Sequence, residues 1–161
     1  MKTAVCPGSF DPVTKGHLDI IERAAAIFDK VIVVAMVNAK KRPTFSLEER
    51  CDLLARVTRC FPNVEIMTSD ALLAEWVKEV GDCVLVKGLR AVSDFESEFQ
   101  MALINRKINP ELETLFLPTS EEHLYLSSSV VKEVCALGGD ISPFVPAEIL
   151  EDVKKRLMRG E

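Results

Sequence analysis

The chain has 161 residues, 48% of them hydrophobic and 28% charged, with a formal net charge of −5. This is one domain, 1–161, large enough to bury a substantial core, and no stretch is biased enough for disorder. The acidic balance argues against a general nucleic-acid binder, so a polyphosphate ligand would have to be met by locally gathered cations.

The five cysteines, Cys6, Cys51, Cys60, Cys83 and Cys135, are odd in number and show no C-x-x-C spacing. The two histidines, His17 and His123, lie far apart. Neither a disulfide framework nor a zinc site is supported, and reduced thiols on apolar positions act as small hydrophobes. The apolar run at the start is too short for a signal peptide, and the longest one, 31–37, has strand length and spans no bilayer. The expectation is a cytoplasmic protein with neither membrane nor nucleic-acid partner.

The first strand is expected at 3–6. It runs into Pro7-Gly8-Ser9-Phe10-Asp11-Pro12-Val13-Thr14-Lys15-Gly16-His17, a Gly/Pro-rich turn that opens a helix near 17–28. Such a turn leaves backbone N–H groups unpaired and ready for phosphate oxygens, and His17 on the first helical turn can reach the same anion. A lone histidine more often packs or caps a helix; the turn in front of this one favours the functional reading. Neither G-x-x-x-x-G-K-S/T nor G-x-G-x-x-G occurs, so this is not the common P-loop or the dinucleotide fingerprint.

The second strand, 31–37, leads to Asn38-Ala39-Lys40-Lys41-Arg42-Pro43-Thr44-Phe45, with three consecutive cations. Alone these read as a solvated loop; at the binding edge of a sheet they would face the phosphate site. Ser46-Leu47-Glu48-Glu49 is a capping box that starts helix 46–60. Strand 64–67 and helix 70–79 follow, then strand 83–86, which ends in Lys87-Gly88-Leu89-Arg90. That is two cations around a glycine that lets backbone approach closely. Asp94, Glu96 and Glu98 crowd the first turns of helix 93–108, where the helix dipole favours them. Phe95, Phe99 and Ala102 on the same helix read as core or subunit contact.

Strand 114–117 leads to His123-Leu124-Tyr125-Leu126-Ser127-Ser128-Ser129. One serine would be a cap; three at the start of helix 128–137 supply hydroxyls and free N–H groups converging on a second anion site. Gly138-Gly139 closes that helix, and Pro146 opens the last, 147–158. Strands rich in Val, Ile and Leu on both faces, alternating with helices, describe an α/β fold. It is a single doubly wound (Rossmann-like) domain with a five-stranded parallel sheet and helices on both faces. Such sheets bind ligands at the carboxyl ends of their strands, and loops 7–16, 39–45, 87–92 and 118–129 all fall on that edge.

Thr14-Lys15-Gly16-His17 resembles the T/H-x-G-H signature of the nucleotidyltransferase superfamily. The lead-in Pro7-Gly8-Ser9-Phe10-Asp11-Pro12 and the run Gly88-Leu89-Arg90-Ala91-Val92-Ser93-Asp94-Phe95-Glu96 narrow the resemblance to the bacterial phosphopantetheine adenylyltransferase family, over essentially the whole chain. The resemblance implies transfer of the adenylyl group of ATP to 4′-phosphopantetheine, giving dephospho-coenzyme A and pyrophosphate. It implies His17 as the catalytic residue. ATP would be bound by Ser9, Phe10, His17, Gly88, Leu89, Arg90 and Glu98, and by His123, Leu124, Tyr125, Leu126, Ser127, Ser128 and Ser129. The substrate would be bound by Ser9, Lys41, Leu73 and Lys87. It further implies Mg2+ held mainly through ATP, with no protein metal site, a homohexamer, and coenzyme A as a feedback ligand.

Three departures stand out. Lys87 occupies the place of the family's arginine, keeping the charge but losing the bidentate fork. Leu126 replaces isoleucine before the serines, and the 119–122 segment shifts in length. Because the attacking group is itself a charged phosphate, alignment and charge stabilisation suffice, without a side-chain nucleophile or general base. Two alternatives stay open: nucleotidyl transfer to another small phosphate, such as nicotinamide mononucleotide or glycerol phosphate, and an ATP- or coenzyme A-sensing module without turnover.

Overall fold

The structure, a computed structural model, describes residues 2–37 and 42–158. Five parallel strands, β1 (Thr3–Gly8), β2 (Lys30–Met36), β3 (Val64–Ser69), β4 (Cys83–Leu89) and β5 (Glu113–Pro118), form one sheet in the order β3-β2-β1-β4-β5. Side chains alternate between the two faces, and both faces are covered. Ala4, Cys6, Val31, Val33 and Val86 point into the larger core, against α1 (Lys15–Ile27), α2 (Leu47–Thr58), α5 (Ser128–Ala136) and α6 (Leu150–Met158). Val5, Ile32, Val34 and Leu85 point the other way, against Trp76 and Val77 of α3 (Leu73–Val80) and Ile108 at the end of α4 (Val92–Ile108).

Chain order runs outward from β1 through β2 to β3, then returns to β4 on β1's other side, so the sheet switches direction between β1 and β4. Pairing across that junction covers only Thr3–Val5 with Cys83–Leu85. On their outer sides both strands continue, β1 against β2 to Gly8 and β4 against β5 to Leu89. Past Val5 and Leu85 the two strands therefore diverge, and a crevice opens where switch-point ligands bind.

The expected elements are present, with differences at their ends. Lys87, Gly88 and Leu89, read as loop, extend β4 because β5 pairs with them through Pro118. The helix expected from 70 starts at Leu73, because Ser69 Oγ accepts the Ala71 N–H at 3.1 Å and holds a turn there. The last helix opens with a single 3-10 turn, Ala147–Ile149. Both halves of the Ser46/Glu49 capping box form, and Gly138 closes α5 with φ +79. Phe95 and Phe99 are not core: they are 43% and 47% exposed on α4, stacked on each other at 5.5 Å. All five thiols are free.

Candidate active site

The crevice is a cleft of about 440 Å³ at the carboxyl ends of β1 and β4. A larger concavity, about 780 Å³, opens at the opposite edge beside Phe28 and Gly81. Asp82 and Glu111 there are matched by Lys2 and Lys78, but α1 and α3 present their C-terminal, partially negative ends, which disfavour phosphate. The smaller cleft instead gathers the N-termini of α1 and α5, which favour it.

Thr14 is the N-cap of α1 and forms with His17 a capping box in which histidine replaces the usual glutamate. Thr14 Oγ1 accepts the His17 N–H at 3.4 Å, and the Thr14 N–H donates to His17 Nδ1 at 3.0 Å. An amide N–H can only donate, so Nδ1 carries a lone pair and the ring proton lies on Nε2. Burial, and then the positive charge of Arg90, hold the pKa down at about 4. At neutral pH His17 is thus an uncharged ring in the cleft wall whose remaining polar group is an Nε2–H donor.

Not every N–H of the first turn is left for an anion. Lys15 N–H donates to Phe144 O at 2.9 Å, and His17 N–H is taken by its cap, so among the described residues Gly16 keeps its donor. Phe10 adds a second. Its ring is buried, at 4% exposure, and packs edge-on to His17 at 5.1 Å, so its contact with a ligand is through backbone. Its φ of 49° is left-handed, a strain of order 1 kcal/mol for a non-glycine residue, the kind held in place at functional sites.

Across the cleft, Arg90 is a fixed cation. Its Nε and Nη2 donate to the Asp94 carboxylate at 2.8 and 3.3 Å, and Nη1 donates to Leu126 O at 2.8 Å. Asp94, which helix-dipole reasoning alone explained, therefore aims Arg90 and ties β4 to the serine segment. Lys87 Nζ lies 3.2 Å from Glu98 Oε2, so the two residues assigned to opposite substrates pair with each other. Gly88 is where β4 meets α1: a Cβ there would stand 2.8 Å from Ile20 Cγ1.

The three serines divide their work. Ser127 Oγ caps α5 by accepting the Val130 N–H at 3.2 Å, and Ser128 Oγ donates to Pro12 O at 2.8 Å. Two of the three hydroxyls are therefore spent on structure, and the exposed Ser129 is the one without a partner among the described residues. Sequence reasoning missed Asp11 and Lys132. Asp11 accepts the N–H groups of Thr44 and Phe45 at 3.0 and 2.8 Å and Lys132 Nζ at 2.8 Å. Burial alone would raise its pKa; these bonds outweigh that and lower it. The spacing held one clue: Lys132 follows Ser128 by four residues, on the same face of α5.

Ser9, Phe10, His17, Lys87, Gly88, Arg90, Glu98, Leu126 and Ser127 to Ser129 all line the cleft. Lys41 lies outside the described residues. Leu73 packs against the second core, and Leu124 and Tyr125 are exposed, so the cleft as shaped here does not bring them in. Leu89 and His123 also lie off its lining, though a Cβ on Gly16 would stand 3.6 Å from His123 Cβ.

Residues 5–134 match the model of the cytidylyltransferase-like family. The chain is 53% identical to a phosphopantetheine adenylyltransferase of Caldanaerobacter subterraneus subsp. tengcongensis, covering 99% of this chain and 100% of that one. It is 54% identical to a protein of the same name from Clostridium tetani, covering 97% and 98%. Among solved structures, a putative nicotinate-nucleotide adenylyltransferase from Vibrio parahaemolyticus superposes with TM-score 0.70 at 20% identity, over 99% and 96% of the two chains, a likeness of fold. With near-complete coverage by relatives at this identity, the chain belongs to the phosphopantetheine adenylyltransferase family of the nucleotidyltransferases.

Proposed function

We propose that this chain transfers the adenylyl group of ATP to 4′-phosphopantetheine. The observation that carries the reading is the neutral, tautomer-fixed His17 in a cleft flanked by Lys87, Arg90 and Lys132. The names of the relatives supply the substrate. A phosphate oxygen of phosphopantetheine attacks the α-phosphorus of ATP. A new O–P bond forms, the bond from the α-phosphorus to the bridging oxygen breaks, and its electron pair leaves with pyrophosphate. The attacking dianion needs no proton removed. His17 Nε2–H and the Gly16 and Phe10 N–H groups donate to the α-phosphate as charge builds on it. Lys87 and Ser9, with Lys41, hold the attacking phosphate; Arg90 and the α5 N-terminus hold the leaving one.

Magnesium, held mainly through the nucleotide, would neutralise part of the charge that leaves with pyrophosphate. The cleft carboxylates Asp11, Asp94 and Glu98 are each committed to a cation, which fits a metal held by nucleotide and water rather than by a protein cage. The exposed Phe95, Phe99, Met101 and Leu103 on α4 fit burial in the expected homohexamer, which light scattering of the purified chain checks. Coenzyme A as feedback ligand and a cytoplasmic location belong to the same reading. Incubation with ATP, magnesium and 4′-phosphopantetheine tests the reaction: dephospho-coenzyme A and pyrophosphate are expected, and a folded sample that makes neither removes the assignment.

A further inference from the structure

Behind the phosphate turn lies a cation that motif reasoning passes over. Arg50 on α2 is 4% exposed. Its Nη1 donates to Ser9 O at 2.7 Å and to Met36 O at 3.1 Å, so one guanidinium nitrogen bridges the turn after β1 and the last residue of β2. Its Nε has no partner, and no carboxylate pairs with it among the described residues. A buried cation without a counter-charge is costly to the fold, and an orphaned buried donor asks for an explanation beyond packing.

The explanation lies in the peptide it grips. The Ser9–Phe10 bond is trans, so its C=O and N–H point in opposite directions. Drawing the Ser9 carbonyl inward onto Arg50 turns the Phe10 N–H outward. Both residues line the cleft, and that N–H has no acceptor among the described residues. The left-handed φ of Phe10 marks a peptide held against its own preference.

We infer that Arg50 is a positioning residue for the reaction. It clamps the Ser9 carbonyl so that the Phe10 N–H is presented to the phosphate undergoing substitution, and its uncompensated charge favours an anion in the space in front. It touches no substrate itself, and the role rests on the adenylyl transfer proposed above.

Arg50→Gln, compared with the wild-type chain at a temperature where both are folded by thermal melt, tests it. A misaligned donor should lower kcat roughly 100-fold, the loss falling mainly in kcat rather than in KM for ATP or phosphopantetheine. A merely structural arginine would lower Tm and leave kcat alone. A folded variant with kcat within about threefold of wild type, or with a loss confined to KM, overturns the inference. Should Arg50→Gln not fold, Arg50→Lys decides in its place. It keeps charge without the planar fork, so kcat should fall about tenfold, and wild-type kcat there overturns the clamp. A wild-type chain without turnover overturns both readings, whereas turnover unchanged by the substitutions overturns this one alone.

Discussion

His17 shows how one hydrogen bond settles a chemical role. With Nδ1 occupied by the Thr14 N–H and the pKa held at about 4, the ring is a neutral donor, not a cation or a base. His17→Ala should lower kcat by about 10²–10³-fold with a much smaller effect on ATP affinity, measured by steady-state kinetics and by binding. Normal turnover at saturation with poor ATP binding would place the residue in ground-state binding instead. The same pKa has a signed consequence for stability. The folded value lies below the ordinary 6.5 of a solvated imidazole, so the folded state binds the proton less readily than the unfolded one. Stability from this group is complete above about pH 6.5 and drains away as pH falls toward 4. Denaturant midpoints at pH 7 and pH 4.5 should differ less in His17→Gln than in the parent. Lys87 makes a second case. Its pairing with Glu98 argues against a freely solvated strand end. Lys87→Ala should raise KM for phosphopantetheine more than KM for ATP, and Lys87→Arg should preserve or improve activity by adding a second parallel bond to phosphate. Unchanged KM values in Lys87→Ala would remove the residue from the site. Motif spacing marked His17, Lys87 and Arg90 as candidates; it could not show that Glu98 and Asp94 pair with the two cations.

At the level of elements, regular patterns carried well and their ends did not. Apolar runs located all five strands, and Ser46-Leu47-Glu48-Glu49 located the start of α2, because local chemistry decides both. The ends depended on neighbours: β5 draws β4 out to Leu89, and the Ser69 hydroxyl delays α3. Gly88 shows the same division. The sequence suggested close backbone approach there; the structure identifies what approaches, namely Ile20 of α1. An added methyl would stand 2.8 Å from Ile20 Cγ1, on a β-branched side chain with little rotamer freedom. Gly88→Ala should therefore destabilise by about 1–3 kcal/mol, as overpacking does, and shift α1 together with its histidine. A fall in Tm with a parallel fall in kcat is the expected pair of readings; an unchanged Tm would mean that Ile20 yields freely. The serine cluster was over-read for a related reason. Hydroxyls counted along a sequence look alike, whereas helix capping and the Pro12 carbonyl had already claimed two of them.

For the whole molecule, a doubly wound sheet was legible because continuous apolar strands alternating with helices leave few other architectures. Its strand order, and so the place of the cleft, was not, since nothing local says that β4 returns to the other side of β1. That return leaves the sheet as two half-sheets, β3-β2-β1 and β4-β5, stitched by a seam only three residue pairs long. A seam that stops short exposes main-chain groups to water where every other strand junction protects them. Amides of Cys6, Gly8, Val86 and Lys87 that face it should exchange hydrogen with solvent faster than those of Val31 to Val34, and a nucleotide bridging the halves should slow them. Mass-spectrometric exchange with and without ATP reads this directly; equal protection of both groups in the free protein would mean that the halves move as one. On this account the sheet is finished by its ligand, which takes the place of the stitches the strands themselves leave out.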